Sequence, residues 1–108
     1  MKKYLVLYRA PISNQEQMSK ATPQQMKAMM DAWMAWGKRC GSGLVDMGAP
    51  LGPNVHLRGT PGTGHIGGYS FLQAESLDAA KKLLDGHPHT EQSGFSIEIL
   101  EVAAKPGM

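Results

Sequence analysis

Two histidines, His87 and His89, flank a proline in the segment DGHPHTEQSGFSIEIL and are the first candidates for chemistry. An imidazole with an ordinary pKa of about 6.5 transfers protons at neutral pH and is also the commonest protein metal ligand. Because a residue before proline adopts extended backbone, we expect His87 to emerge at the rim of the fold and line a pocket with Trp33 or Trp36. We expect His89 to face solvent.

The other histidine and glycine patterns do not complete a known site. His56 and His65 are distant in sequence, and no HExxH motif or carboxylate triad accompanies them, so we expect no metal. The segment GTGHIG, residues 62–67, matches the dinucleotide pattern GxGxxG. That motif requires a helix N-terminus behind it, whereas here the strand-like GYSFLQA follows. We therefore expect neither a nucleotide nor another cofactor.

The strongest helix signal begins at Pro23, with Thr22 as N-cap and Gln25 closing a capping box. At about 100° per residue its apolar residues share one face, and GSG at 41–43 ends the helix. This face comprises Met26, Met29, Met30, Trp33, Gly37 and Cys40, with Met34 and Trp36 at its edges. Most of the face is expected to fill the core, because methionine packs adaptably. Trp36, at the edge, suits a pocket wall.

Four strands and a second helix complete a predicted βαββαβ order. The strands are expected at 3–9, 44–48, about 66–73 and 95–103, and the second helix is capped by Ser76 and stopped by Gly86. The segments VHLRG and HIGGYSFLQA, on either side of TPGTG, fit either a hairpin or a loop leading into the third strand. The order is that of the ferredoxin-like α+β fold, an antiparallel sheet with two helices on one face.

The face of this sheet without helices is expected to carry apolar residues. In the first strand both faces are apolar, one formed by Leu5 and Leu7 and the other by Tyr4, Val6 and Tyr8. We assign the second set, together with Leu100 of the last strand, to the uncovered face. Because a second copy of the chain is the simplest cover for such a surface, we expect a homodimer.

Composition narrows the class of protein further. The 108 residues are 42% hydrophobic and 19% charged, which is typical of one small globular domain over 1–108. The net charge is +2, and the basic residues are dispersed, so we expect no nucleic-acid surface. Cys40 is the only cysteine and is expected to be a small buried apolar residue. With no apolar run long enough for a signal peptide or membrane span, we expect a cytoplasmic protein and no membrane partner.

Over nearly its whole length the chain resembles the YCII-related domain family, particularly its DGPF-type branch. The resemblance is carried by MKKYLVLYR, TPQQMKAMMDAWMAWGKRCGSGLVDMGAPLGP, GGYSFLQAESLDAAKKLLDGHP and FSIEILEVAAKP. It implies a dimeric α/β barrel of ferredoxin-like protomers, and it implies no particular reaction. The DGPF motif itself is not present in this sequence, where the shorter HLRGTPGTGHI occupies the middle.

The resemblance also bears on two site residues. In members of that family, a histidine in the first helix and an aspartate before a proline after the second helix are proposed as a catalytic pair. His87, before Pro88, stands at the position of the aspartate. The histidine position falls on Asp31 in an ungapped alignment and on Trp33 when the helix faces are aligned. Because Asp31 lies about 140° from the apolar line, the helix geometry favours Trp33.

Two functions therefore stay open. The first is binding of a small apolar or aromatic molecule in a pocket bounded by Trp33 and Trp36, since ligand pockets are mostly apolar. The second is a small enzyme that uses His87 as general acid or base. Polar contacts to a ligand or substrate would come from Arg9, Tyr69 or Glu98. Because no second titratable group is predicted to face His87, binding is favoured.

Overall fold

The computed structural model describes residues 1–60, 62 and 64–103, which form an α+β fold around an antiparallel four-stranded sheet. The strands are β1 (Lys2–Ala10), β2 (Leu44–Asp46), β3 (His65–Ala74) and β4 (Ser96–Glu101), in the order β2-β3-β1-β4. The helices are α1 (Asn14–Lys20), α2 (Pro23–Cys40) and α3 (Leu77–Leu83), with 3-10 turns at Gly41–Gly43 and Pro88–Glu91. The arrangement is compatible with the predicted ferredoxin-like fold.

The ends of α2 follow from local sequence chemistry, as predicted. Thr22 Oγ1 accepts the backbone N–H of Gln25 at 3.1 Å, and the Gln25 side chain accepts that of Thr22 at 2.9 Å. This capping box satisfies two of the N–H groups that a helix start leaves without partners. At the other end, Gly41 follows Cys40 with φ +56°, a conformation that favours glycine. The predicted helix from Pro23 to the GSG segment is thereby confirmed.

Helix α1 is not among the two helices predicted from the sequence. Ser13 caps it, because its Oγ accepts the backbone N–H of Glu16 at 3.2 Å. The pattern Ser13-x-x-Glu16 is a local signal for a helix start. None of the seven residues of α1 is buried. Its sequence therefore has no apolar stripe from which a helix could be predicted. The region between β1 and α2 is consequently a helix rather than only a loop.

The core lies between one face of the sheet and helices α2 and α3. Its fully or nearly fully buried hydrophobic side chains are Tyr4, Val6, Tyr8, Trp36, Cys40, Leu72, Ala74, Ala80 and Leu84. Leu72 pairs with Tyr4, and Ile99 pairs with Val6, so the inward residues of three strands form one layer. The assignment of Tyr4, Val6 and Tyr8 to the uncovered face is therefore wrong. The burial predicted for Cys40 is confirmed.

Leu5 and Leu7 occupy the face of the sheet that carries no helix. Leu5 pairs with Phe71 of β3 and Leu100 of β4, and Leu7 pairs with Tyr69. Alternation along a strand defines two sets of side chains but does not tell which set meets the helices. Where both sets are apolar, as in β1, only the long-range packing decides. Leu100 is on the uncovered face, as predicted.

The segment between β2 and β3 follows the loop alternative rather than the hairpin. β2 ends at Asp46, two residues earlier than predicted, and an isolated bridge joins Pro50 to Gly68. β3 then begins at His65. The GxGxxG-like motif therefore runs into a strand, as predicted, although its Thr63 lies outside the described residues.

Candidate functional site

Four aromatic or imidazole side chains from three elements meet beneath α2. β1 supplies Tyr8, α2 supplies Trp33 and Trp36, and the turn after α3 supplies His87. The His87 ring stacks on Tyr8 at a centroid distance of 5.0 Å and lies 4.4 Å from each indole centroid. Tyr8 and Trp33 are themselves 4.6 Å apart in an edge-to-face arrangement. Such contacts hold rings in defined orientations, so this is a fixed cluster.

His87 is positioned by the turn that it caps. Its backbone is extended, with φ −62° and ψ 135°, as expected for a residue before proline. Its Nδ1 accepts the backbone N–H of His89 at 2.9 Å, which places the ring proton on Nε2. Within the described part of the chain, Nε2 has no hydrogen-bond partner. The ring therefore acts as a neutral N-cap side chain.

The electrostatic surroundings keep His87 neutral. Burial, followed by the charges of His89 and Arg39, lowers the pKa of His87 to about 4. The ring has no exposed surface. The expectation that His87 emerges at the rim is therefore wrong, because the extended backbone turns the ring inwards onto Tyr8 and the two indoles. His87 lies behind Trp33 and is not part of the lining of the cleft between α2 and the sheet.

His89 is buried too, and the expectation that it faces solvent is wrong. Its Nε2 lies 2.8 Å from the backbone carbonyl of Arg9, at the end of β1, so Nε2 donates to that oxygen. Burial lowers the pKa of His89, while hydrogen bonding to the carbonyls of Arg9 and Ser96 opposes the shift. These two residues pair across β1 and β4. His89 thus ties the turn to the end of β1 and also borders the cleft.

The cleft itself lies between the N-terminal half of α2 and the sheet. It has a volume of about 1040 Å³ and extends to α1, the start of the β2–β3 loop and the turn after α3. Its aromatic and imidazole boundary is formed by Tyr8, Trp33, Tyr69, His89 and Phe95. Its methionines are Met18, Met26, Met29, Met30, Met34 and Met47. Most of the chain's eight methionines therefore border one cavity.

Helix α2 changes its role along its length. Trp36 and Cys40, in the C-terminal half, are buried in the core, and the Trp36 indole N–H donates to the carbonyl of Leu83 at 2.8 Å. In the N-terminal half, Met26 and Met30 are exposed, although they belong to the predicted apolar face. The prediction that this face fills the core thus holds only for the second half. The first half is a wall of the cleft.

Three polar side chains at or beside the cleft, those of Tyr8, Ser70 and Asn14, are occupied by contacts within the protein. Ser70 donates to the carbonyl of Met47 at 2.7 Å, so its oxygen accepts the Tyr8 hydroxyl at 2.8 Å. Burial raises the pKa of Tyr8 to about 12. The Asn14 amide donates to the carbonyls of Leu51 and Gly67. These three groups therefore shape the cleft, whose lining is mostly apolar and aromatic.

The other residues singled out from the sequence lie apart from one another. Asp31 is exposed and pairs with Lys27 at 3.0 Å, so it is not joined to His87. Arg9 pairs with Glu98 at 3.5 Å. The ring of Tyr69 packs against that of Phe71 at 6.0 Å, although the residue borders the cleft. Of the two tryptophans predicted to line a pocket, Trp33 borders the cleft, whereas Trp36 is buried in the core.

Several cleft residues were not predicted, chiefly Met18, Phe95 and His89. The available signal was the density of methionine on both sides of the apolar line of α2, since a packed helix needs only one apolar side. For Phe95 no local signal exists, because its place depends on how the turn after α3 returns to β4. The cleft is therefore a product of tertiary packing.

Within residues 1–60, 62 and 64–103, no group of three or more His, Cys, Asp or Glu side chains is placed to hold a metal ion. Among the helices of that same part, none has the length and apolar character to cross a membrane. No protein-family model matches the chain, and no curated protein matches it.

Proposed function

We propose that this protein binds a small apolar or aromatic molecule in the cleft beneath the first half of α2. The observation that carries the proposal is a cavity of about 1040 Å³ walled by methionines and bounded by Tyr8, Trp33 and Phe95. Ligand sites in proteins typically measure about 300–1000 Å³ and are mostly apolar with a few fixed polar groups. The size and chemistry of this cleft fit that class.

The side-chain chemistry supports a planar, weakly polar ligand. Trp33 and Tyr8 offer aromatic surface at fixed angles, which favours stacked or edge-to-face contact with another ring. Methionine side chains are flexible and polarizable, so they adapt to irregular shapes and pack well on aromatic groups. No ionised side chain in the aromatic part of the cleft is needed for this mode of binding. Affinity would come from burial of apolar surface.

The test uses a neutral aromatic fluorophore, N-phenylnaphthylamine, as probe. Ala32 is half-buried at the cleft, whereas Ala35, in the same helix, is exposed and not part of its lining. We expect Ala32→Phe to weaken probe binding about tenfold or more by filling space, and Ala35→Phe to leave it unchanged. The two variants carry the same change in helix propensity. Equal affinities for both would overturn the proposal.

Catalysis by His87 is the alternative function, and it has less support. A general base must reach the reacting atom within hydrogen-bond distance or through one water. His87 is fully buried, and its Nδ1 is used by the backbone N–H of His89. Asp31, the acid that the ungapped family alignment would pair with His87, is instead paired with Lys27 on the exposed side of α2. These positions favour a structural role for the imidazole.

We further propose a homodimer formed through the face of the sheet that carries no helix. Five apolar side chains lie together there, namely Leu5, Leu7, Tyr69, Phe71 and Leu100. The proposed assembly agrees with the dimeric barrel that the resemblance to the YCII-related family implies, and membership of that family is part of the proposal.

The dimer is tested by light scattering coupled to size-exclusion chromatography. We expect Leu5→Lys to give a monomer mass, because it places a charge at the centre of the uncovered face. Leu57→Lys is the matched control, since Leu57 lies in the β2–β3 loop and is 94% exposed. A monomeric wild-type protein at micromolar concentration contradicts the proposal, as does a Leu5→Lys variant that keeps the wild-type mass.

A further inference from the structure

Several methionines of the cleft are accessible to solvent and therefore to oxidants. Four of them, Met18, Met26, Met30 and Met34, are between 40% and 64% exposed. Three of these follow one another at intervals of four residues along α2, so they form a continuous stripe on one side of the helix. Oxidants dissolved in water therefore reach the wall of the cleft directly.

The thiol that would otherwise compete for an oxidant is protected. Cys40 is buried at the end of α2, and its Sγ lies 3.6 Å from the carbonyl of Leu83. Burial raises the pKa of the Cys40 thiol, which disfavours the thiolate that reacts with peroxides. The accessible sulfur of the described chain is thus thioether, and much of it borders one cavity.

We propose that oxidation of Met18, Met26, Met30 and Met34 to methionine sulfoxide switches off ligand binding in the cleft. Each thioether sulfur loses two electrons to hydrogen peroxide and gains one oxygen atom, while the O–O bond of the peroxide breaks and the second oxygen leaves as water. The product is a polar sulfoxide where an apolar thioether stood. The inference rests on the proposed binding function and adds its regulation.

The physical basis of the switch is the cost of placing a polar group against an apolar ligand. A sulfoxide oxygen accepts hydrogen bonds from water while the cleft is open. An apolar ligand would remove that water without replacing its hydrogen bonds, which opposes binding. We expect the oxidised protein to bind N-phenylnaphthylamine about tenfold more weakly than the reduced protein. Treatment with the two methionine sulfoxide reductases, one for each sulfoxide epimer, is expected to restore the affinity.

The experiment compares the wild-type protein with a variant that carries Met18→Leu, Met26→Leu, Met30→Leu and Met34→Leu. Leucine has a similar volume and helix propensity but no sulfur. Both proteins are treated with hydrogen peroxide, mapped by mass spectrometry and titrated with the fluorophore. We expect sulfoxide at the four positions and an unmodified Cys40 in the wild type. We expect the leucine variant to bind the fluorophore with the same affinity before and after peroxide treatment.

Met1 provides an internal reference, because it is 79% exposed and is not part of the cleft lining. Oxidation confined to Met1 should leave probe binding intact. The switch is overturned if the four cleft positions are oxidised without loss of affinity, or if the leucine variant loses affinity as the wild type does. Failure of the reduced wild type to bind the probe would instead overturn the binding function itself, so the two failures are distinguishable.

Discussion

Acidification is expected to destabilise the fold through His87. The ring is neutral in the native state because it lies between Tyr8, Trp33 and Trp36 with no exposed surface. Protonation would place a positive charge in this aromatic cluster, near the charges of His89 and Arg39. The unfolded chain has no such restriction, so protons bind preferentially to it.

The size of the effect follows from proton linkage. The pKa of His87 is about 4 in the fold, against an ordinary value of 6.5 in the unfolded chain. Its stabilising contribution is therefore fully present above about pH 6.5 and is lost as the pH falls towards 4. Between pH 7 and pH 5 the free energy of unfolding should fall by about 2 kcal/mol. The lowered pKa of His89 acts in the same direction.

The assay is urea unfolding followed by circular dichroism at both pH values. His87→Asn retains a side-chain acceptor for the turn but cannot be protonated, so its loss of stability on acidification should be smaller by about 2 kcal/mol. His56→Asn is the control, because His56 lies in an exposed loop. Equal losses in the wild type and His87→Asn would refute the reasoning. An NMR titration of the wild-type protein should give a pKa of about 4 for the His87 ring, without any substitution.

Two further substitutions test the packing around the cleft, both by urea unfolding. Ser70→Ala removes the hydroxyl that joins Tyr8 to the carbonyl of Met47 and is expected to cost about 1–3 kcal/mol through unpaired buried groups; a loss below about 0.5 kcal/mol contradicts this role. Gly48→Ala is expected to be more destabilising than Gly41→Ala, because both glycines have positive φ but only at Gly48 would a Cβ overlap a carbonyl of β3. Equal losses would show that the close approach is not important.

Local interactions account for the parts of the fold that could be predicted from the sequence. The capping box at Thr22 and the Ser76 cap involve residues three positions apart, and both are present in the structure. The strands follow from alternation over a few residues. The α+β class and the antiparallel sheet are therefore within reach of sequence reasoning. Helix α1 is not predicted, because its only signal is the Ser13-x-x-Glu16 pattern, with no apolar stripe to support it.

The site depends on contacts between residues far apart in the chain, and sequence reasoning was weaker there. The burial of His89 follows from its bond to the carbonyl of Arg9, 80 residues earlier. The burial of His87 follows from rings contributed by β1 and α2. The local sequence around a histidine in a polar loop does not show whether distant residues will pack against its ring. Trp33 is predicted as a pocket residue from the helix face together with the family resemblance, and it does border the cleft.

Methionine explains how one helix can serve both the core and an open cleft. Branched or aromatic side chains along the whole of α2 would favour closure of its first half onto the sheet, because their burial is strongly favourable. Methionine does not require one fixed packing partner, since its unbranched side chain adopts many rotamers and packs against either neighbouring residues or a ligand. The rigid rings of Trp33 and Tyr8 then define the floor, and the thioethers form an adaptable wall. The sulfur that gives this wall its adaptability is also the atom that an oxidant attacks, so binding and its proposed control reside in the same side chains.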